Sequence, residues 1–214
     1  ELVGRHLGSL APVDDPVVAL DSLLMQDGVF IHVARGCRPD KALQLVNIFS
    51  SPVPMAAFRR LLVVLEEDAE LRLLVCDHTQ DKVNSYLGCQ IGEVIVADGA
   101  RFEMCAIEES SPATSRCTRL YISQGARSEV SVNTTTLTCG NTRNDFIVTL
   151  DGEHAACSLN GMAIAGGEMH IDNNTSVTHV APRCHSDQLF KYALDGNSSG
   201  AFEGSINVKP SAPF

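Results

Sequence analysis

The sequence of 214 residues contains no tryptophan and few other aromatic residues, namely three tyrosines and eight phenylalanines. Its apolar residues are mainly valine, isoleucine, leucine and alanine, which suit narrow and evenly spaced β layers. A polysaccharide-binding groove usually carries aromatic platforms, so this composition argues against an enzyme that acts on polysaccharides.

Other absences exclude further classes of protein. The net charge of −10 argues against a broad nucleic-acid surface, because phosphate binding needs clustered lysine and arginine. No run approaches the roughly 20 apolar residues that a membrane span requires. The start of the chain, charged at Glu1 and Arg5, is not followed by the apolar segment of a secretory signal. We therefore expect a cytoplasmic protein that binds neither nucleic acid nor membrane.

The eight cysteines form no C-x-x-C pair, which would be the strongest sequence signal for a zinc site or a redox dithiol. Free cysteines are among the residues most often buried in protein interiors. The sequence therefore predicts scattered reduced thiols and not a disulfide framework. The cysteines are Cys37, Cys76, Cys89, Cys105, Cys117, Cys139, Cys157 and Cys184.

One helix is predicted near the N-terminus. Asp15 is a suitable N-cap, Pro16 suits the first helical position, and an apolar stripe follows. The stripe consists of Val17, Leu20, Leu23 and Leu24. With Gly28 expected to end the helix, we predict a helical lead-in over residues 1–28 and a β domain over residues 29–214. We expect the whole to be a piece of a longer protein.

Strand-like segments recur after the lead-in, with one polar corner in each unit. The residues that follow the corner Gly or Asp are Cys37, Ala69, Ala100, Ala126 and Glu153. Their separations of 32, 31, 26 and 27 residues are typical of a solenoid. Each unit is expected to hold two or three strands of about four to six residues, too few to bury their own apolar faces. Stacking of successive units would bury them.

These observations predict a mainly β fold, a parallel β-helix preceded by a short helix. In the strand that contains Phe146, Val148 and Leu150, these three side chains should point inward. Ile147 and Thr149 should point outward. From the spacing alone, an antiparallel sandwich or barrel remains the alternative.

Two patterns are candidates for chemistry. Gly196–Gly200 matches G-x-S-x-G, but the alternating residues that follow indicate a strand and not the helix of a nucleophile elbow. The segment from His170 to His185 is rich in metal-binding residue types, and a metal-binding barrel enzyme built on it is one alternative. We predict no firm ligand, and the candidates are His179, Cys184 and His185.

The C-terminal part of the chain resembles the SufB/SufD family. The resemblance lies in a spaced pattern that runs H-x-D-N from His170, P-x-C-x-S-x-Q from Pro182, F-K at Phe190, and F-x-G-x-I-x-V from Phe202 to Val208. Similar segments occur upstream, so the resemblance spans most of the chain and favours the SufD branch over SufB.

This resemblance implies a right-handed parallel β-helix and a non-catalytic scaffold, with no catalytic residues. In that family the two paralogues SufB and SufD pair through their β-helices and bind the ATPase SufC. The complex builds and transfers nascent iron–sulfur clusters, so we expect a transient cluster in the full complex and no cofactor held firmly by this part. The family's Cys-x-His motif and its SufC-binding helices lie outside these residues.

The expected partner surface is the open last rung, whose unpaired backbone groups suit continuation of the sheet across a subunit boundary. Its residues are Ser205, Ile206, Asn207 and Val208. Symmetric pairing through this edge predicts a homodimer of the isolated protein. A β-helical polysaccharide-active enzyme remains the alternative function.

Overall fold

The computed structural model describes residues 1–80 and 84–212. Two helices are followed by thirteen strands: α1 (Leu2–His6), α2 (Pro16–Leu24), β1 (Asp27–Val33), β2 (Leu43–Phe49), β3 (Met55–Leu65), β4 (Glu70–Thr79), β5 (Tyr86–Val96), β6 (Arg101–Glu109), β7 (Thr114–Gln124), β8 (Glu129–Thr138), β9 (Asn141–Leu150), β10 (Ala156–Ala165), β11 (His170–His179), β12 (His185–Leu194) and β13 (Ser199–Val208). Neither of these helices approaches the roughly 20 residues that a membrane-spanning helix needs.

The strands form two parallel sheets that face each other. Sheet A has the order β1-β3-β5-β7-β9-β11-β13, and sheet B has the order β12-β10-β8-β6-β4-β2. Each turn of the chain supplies one strand to each sheet, so the molecule is a parallel β-solenoid of about six turns. This confirms the predicted β-helix and excludes the antiparallel sandwich or barrel. The strands are seven to eleven residues long, longer than predicted, because each spans a full side of a two-sided column.

The corner that leads from sheet A to sheet B, here called the first corner, repeats with one conformation. In each turn one residue has a left-handed φ, between 56° and 68°: Gly36, Asp68, Gly99, Arg127, His154 and Arg183. The residue after it is small and fully buried in four turns: Ala69, Ala100, Ser128 and Ala155. The predicted markers Ala126 and Glu153 are therefore wrong by two residues, because the corner Gly of those turns precedes the left-handed residue.

The interior of the column has two halves. The half beside the first corner, the apolar half, is filled by aliphatic residues and Phe102: Val63, Leu65, Leu71, Leu73, Val94, Val96, Phe102, Ile122, Val130, Val148, Leu150 and Leu159. The half beside the return corner, the polar half, contains Arg59, Asp77, Gln90, Glu108, Arg116, Thr142, Asn144 and Asn173. The inward direction of Phe146, Val148 and Leu150 is confirmed, since all three are buried while Ile147 and Thr149 are partly exposed.

The N-terminal segment packs on the outer face of sheet A. As predicted, the Asp15 carboxylate caps α2, accepting hydrogen bonds from the amides of Val17 and Val18. The helix ends at Leu24, however, so Gly28 lies in β1 and the predicted boundary after residue 28 falls inside that strand. The predicted apolar stripe is also wrong in part, because Leu20, Leu23 and Leu24 are exposed.

Buried charges decide which face of α2 meets the sheet. Val18 and Asp21 are the buried residues of the helix. Arg60 Nε lies 2.6 Å from Asp21 Oδ1, and Arg60 Nη1 lies 3.6 Å from Glu93 Oε2. The Glu93 carboxylate also accepts hydrogen bonds from the amides of Gly8, Leu10 and Ala11, at 2.8, 2.8 and 3.2 Å. The lead-in is thus tied to the column through Glu93.

Candidate functional site

β13 forms the last turn of the column in residues 1–80 and 84–212, and among these residues no strand covers it, so this turn is here called open. All ten residues of β13 are exposed, whereas most residues of β9 and alternate residues of β11 in the same sheet are buried. Phe202, Ile206 and Val208 continue the inward-facing columns of sheet A, yet 44%, 57% and 45% of their surfaces are exposed. In the part of the chain that the structure describes, the apolar cross-section at this end of the column is therefore uncovered.

The edge of β13 that faces away from β11 pairs with no strand of the described residues, and this free edge carries a defined set of backbone groups. The Ser199 amide bonds the carbonyl of Met169, and the Lys209 amide bonds the carbonyl of His179. In a parallel strand, alternate residues turn both backbone groups to the same neighbour, so the odd-numbered residues here face β11. The even-numbered residues face the free edge: Gly200, Phe202, Gly204, Ile206 and Val208.

The predicted edge residues consequently divide into two kinds. Ile206 and Val208 present amides and carbonyls to the free edge and side chains to the open cross-section. Ser205 and Asn207 bond β11 and turn their side chains to the outer face. The four residues lie in β13, where the same alternation of backbone groups extends back to Gly200.

Aromatic side chains fill the middle of the open end. The Phe190 ring of β12 stacks on the Phe202 ring, with centroids 4.6 Å apart. On its other side Phe190 lies 6.4 Å from Phe146, measured between centroids. The ring fits because residue 161 is Gly, where a Cβ would lie 2.3 Å from Phe190 Cδ1. The stack joins the open end to the buried core.

A continuous chain of hydrogen bonds runs through the polar half. It begins in β2, where Asn47 Nδ2 donates to Asp77 Oδ1 at 2.8 Å. Arg116 then joins Asp77 to Asn144, with Nη1 2.7 Å from Asp77 Oδ2 and Nη2 2.9 Å from Asn144 Oδ1. Asn144 Nδ2 donates to Asn173 Oδ1 at 2.9 Å.

The chain ends at the open turn. Asn173 Nδ2 donates to the Tyr192 hydroxyl at 2.7 Å, and this hydroxyl donates to the carbonyl of Ala201 in β13 at 2.8 Å. Polar contacts therefore connect the first turn of sheet B to the last strand of sheet A. A buried polar network of this kind is stable only when its members are paired.

Arg116 is the ionic centre of the polar half. Besides Asp77, it contacts Glu108, with Nη2 3.1 Å from Oε2. Burial alone would raise the pKa of Asp77, but the guanidiniums of Arg116 and Arg59 outweigh it and hold that pKa below its usual value. The Glu108 carboxylate also accepts hydrogen bonds from Ser110 Oγ and Thr142 Oγ1, both at 2.8 Å. A cavity of about 30 Å³ lies beside these groups.

The candidate metal ligands lie at the first corner of the last complete turn. His179 Nε2 lies 2.9 Å from Ser186 Oγ, and burial together with nearby His185 lowers the pKa of His179. The Cys184 thiol donates to the carbonyl of Gly152, with Sγ 3.2 Å from the oxygen. Within residues 1–80 and 84–212, no three His, Cys, Asp or Glu side chains are grouped closely enough to hold a metal ion.

His170 is separate from that corner. It occupies the opposite end of β11, about 30 Å from His179 by the rise of a strand. Its Nδ1 lies 2.7 Å from Ser199 Oγ. The G-x-S-x-G pattern forms a turn at Gly196 that leads directly into β13, as the sequence predicts. The structure therefore does not combine His170 with the other candidates.

The cysteines are all free, and Cys76, Cys89, Cys139 and Cys157 are buried. Burial raises the pKa of Cys89 and of Cys157 to about 12, with Asp21 and Asp187 adding to the shift at the two thiols respectively. Burial also raises the pKa of Cys139 to about 11. These thiols are poor nucleophiles at neutral pH, because the thiolate is the reactive form. Cys37 is the exposed one.

Sequence reasoning missed the polar chain. Its members are separated by up to 39 residues along the chain, as Asp77 and Arg116 are. The available signal was weak: Asp77 and Glu108 stand at alternating positions with apolar residues such as Leu73, Val75, Met104 and Ala106. By the period of two, these carboxylates face inward.

Comparison with known proteins gives a consistent result. The family model "SUF system FeS cluster assembly, SufBD core domain" matches residues 48–213. The model "SufBD protein N-terminal region" matches residues 1–45. The chain is 21% identical over 222 residues to a Synechocystis sp. protein named "Iron-sulfur cluster assembly SufBD family protein slr0074". That alignment covers 99% of this chain and 46% of the relative, so the chain spans about half the relative's length.

Proposed function

Because this chain belongs to the SufBD family of iron–sulfur cluster assembly proteins, we propose that it is a non-catalytic scaffold of the SufD type. Its role is to present a rigid β-helix that is joined to a partner near β13. The partners are SufB, with which it forms a column-to-column interface, and the ATPase SufC, which binds elsewhere on the full-length protein. The working compartment is the cytoplasm.

The family model over residues 48–213 and the parallel column support this proposal, and the partner edge on β13 is part of the proposal. An edge strand with unpaired amides and carbonyls is a template for another strand, and soluble proteins usually protect such edges. Here the edge lies beside exposed Phe202, Ile206 and Val208, which would supply the apolar centre of an interface. In the absence of SufB, the same edge would pair with a second copy about a two-fold axis.

Iron and sulfur are cargo in this proposal. The described part of the chain is expected to hold no cofactor firmly, and a cluster would exist transiently in the full complex. The weakly grouped His179, Cys184 and His185 stay candidates for a contact to that cargo.

The oligomeric state of the full-length protein tests the proposal. Light scattering after size exclusion should give a dimer, and Ile206→Asp should give a monomer, because a carboxylate would be buried without a partner at the interface. Ile164→Asp is the matched control. Ile164 is exposed to a similar degree, 48% against 57%, but lies on the outer face of sheet B.

Three results decide the proposal. A dimer that is unaffected by Ile206→Asp would show that the edge is not the interface. Capture of SufB and SufC with full-length wild-type protein, and loss of SufB alone with Ile206→Asp, would support the heteromeric role. A wild-type protein that captures neither would contradict it.

A further inference from the structure

We propose that the cavity in the polar half is a binding site for water, in which about one or two ordered molecules bridge Thr118 of sheet A to Glu108 of sheet B. This inference goes beyond the proposed function, because it concerns the interior of the column and not its contact with a partner.

The cavity lies between the two sheets, in the middle turns of the column. Thr118 of β7 and Asn144 of β9 line it on one side, and Glu108 of β6 and Thr136 of β8 line it on the other. Each of these four strands is hydrogen-bonded to a neighbour on both sides. The walls of the cavity are therefore set by interior strands and not by an edge of either sheet.

Three buried polar atoms on residues that line the cavity lack a hydrogen bond. Within the described residues, Thr118 Oγ1, Arg116 Nε and Glu108 Oε2 have no hydrogen-bond partner, although Glu108 Oε2 lies 3.1 Å from Arg116 Nη2 as an ion pair. Proteins rarely leave such atoms unpaired, because each has given up its hydrogen bonds to solvent. These atoms point to a ligand in the cavity.

Water matches the unpaired atoms in both chemistry and size. A water molecule can donate to the Glu108 carboxylate, accept from Arg116 Nε, and form a hydrogen bond of either direction with the Thr118 hydroxyl. A buried water usually makes about three such bonds. The cavity volume of about 30 Å³ exceeds the roughly 10–15 Å³ that one water molecule needs.

The balance of charge favours water over an ion. The carboxylates of Asp77 and Glu108 are matched by the guanidiniums of Arg59 and Arg116, with ion-pair distances of 3.4, 2.7 and 3.1 Å. An added cation or anion would be a buried charge without a counterion, which is costly. The occupant should therefore be a neutral molecule that both donates and accepts hydrogen bonds.

The bound water would join successive turns of the column. Glu108 belongs to the third turn, through β6, and Thr118 belongs to the fourth turn, through β7 on the opposite sheet. Arg116 of the fourth turn already crosses the column to Asp77 and Glu108. The water would add a second crossing two residues further along β7.

Thr118→Val in the full-length protein tests the inference, because it replaces the hydroxyl with a methyl group of nearly the same size. In a crystal structure that resolves ordered water, the wild type should show a water molecule within hydrogen-bonding distance of Thr118 Oγ1 and Glu108 Oε2, and the variant should lose it. Magnetic relaxation dispersion of the water oxygen nucleus should count fewer long-lived internal waters in the variant. A wild-type cavity without water, or an unchanged count, would overturn the inference.

Two further variants separate the hydroxyl of Thr118 from general packing. Thr149→Val makes the same chemical change on the outer face of β9, where the side chain is partly exposed, and should leave the count of internal waters unchanged. Thr118→Ser keeps a hydroxyl and should keep the water. Loss of the water from either variant would show that packing, and not this hydroxyl, holds it, and the inference would be wrong.

Xenon distinguishes a hydrated cavity from a dry one. Apolar cavities stay dry and take up xenon, whereas a hydrated polar cavity should not. Xenon bound at this position in a pressurised wild-type crystal would therefore contradict the inference. None of these measurements involves SufB or SufC, so a dry cavity would leave the proposed function intact, and failure of the proposed function would leave the water site intact.

Discussion

The two halves of the interior are built from the same strands but with opposite chemistry. In the apolar half, stacked valine, isoleucine and leucine side chains bury hydrocarbon, and such packing tolerates small shifts between turns. In the polar half, Asp77, Glu108 and Arg116 are buried ions whose desolvation must be offset by each other and by hydrogen bonds. The apolar half therefore supplies stability, and the polar half fixes how successive turns are aligned.

The largest effect should come from removing the ionic centre of the polar half. Arg116→Met would leave the Glu108 carboxylate buried without its guanidinium and Asp77 with Arg59 alone, and we expect a loss of about 3–5 kcal/mol in the free energy of unfolding. Denaturant unfolding measures it. Arg101→Met is the control, because the Arg101–Glu129 pair is exposed and should contribute less than about 1 kcal/mol. Equal losses in the two variants would show that the polar half behaves like the surface.

A somewhat smaller loss is expected in the apolar half. Leu159→Ala removes part of a fully buried side chain and should cost about 2–4 kcal/mol through lost transfer energy and the cavity that remains. A loss below about 1 kcal/mol would mean that the stack closes around the missing atoms.

The pH dependence should have opposite signs at two buried aspartates. The pKa of Asp77 is lowered in the folded protein, so its contribution is present above the unfolded pKa, near 4, and is lost as pH falls through the folded value. Burial raises the pKa of Asp21 despite Arg60, so its contribution is present below the unfolded pKa and is lost as pH rises through the raised value.

Urea unfolding, measured at several pH values below and above 4, checks the direction in which the free energy of unfolding changes with pH for both aspartates. Asp77→Asn should flatten the acid limb of the stability profile, and Asp21→Asn should flatten the limb above pH 4. Slopes that are unchanged in either variant would contradict the assignment for that residue.

The column was predictable because its signal is local and repeated. Alternation in the strand around Val148 and the corners at Gly36, Asp68 and Gly99 recur in every unit, so each copy supports the others. The corner markers Ala126 and Glu153 were placed two residues too early because the corners of those turns are longer before their left-handed residues, Arg127 and His154. The sequence does not show where in a corner the left-handed residue lies.

The site was less predictable, because it depends on contacts between distant strands. A carboxylate at an inward position such as Asp77 looks like any other polar residue until Arg116 is known to stand opposite. The same holds for α2: its leucine stripe suggests a buried face, but the sheet beneath carries Arg60, which pairs with both Asp21 and Glu93. Charge pairing overrode hydrophobic periodicity there.

The anchoring of the lead-in by Glu93 has a consequence for the order of folding. The amides of Gly8, Leu10 and Ala11 are made before their acceptor, which lies 82 to 85 residues further along the chain. On a ribosome, this segment must wait until β5 has left the exit tunnel and joined the sheet. Its docking is therefore delayed by the synthesis of about three turns of the column.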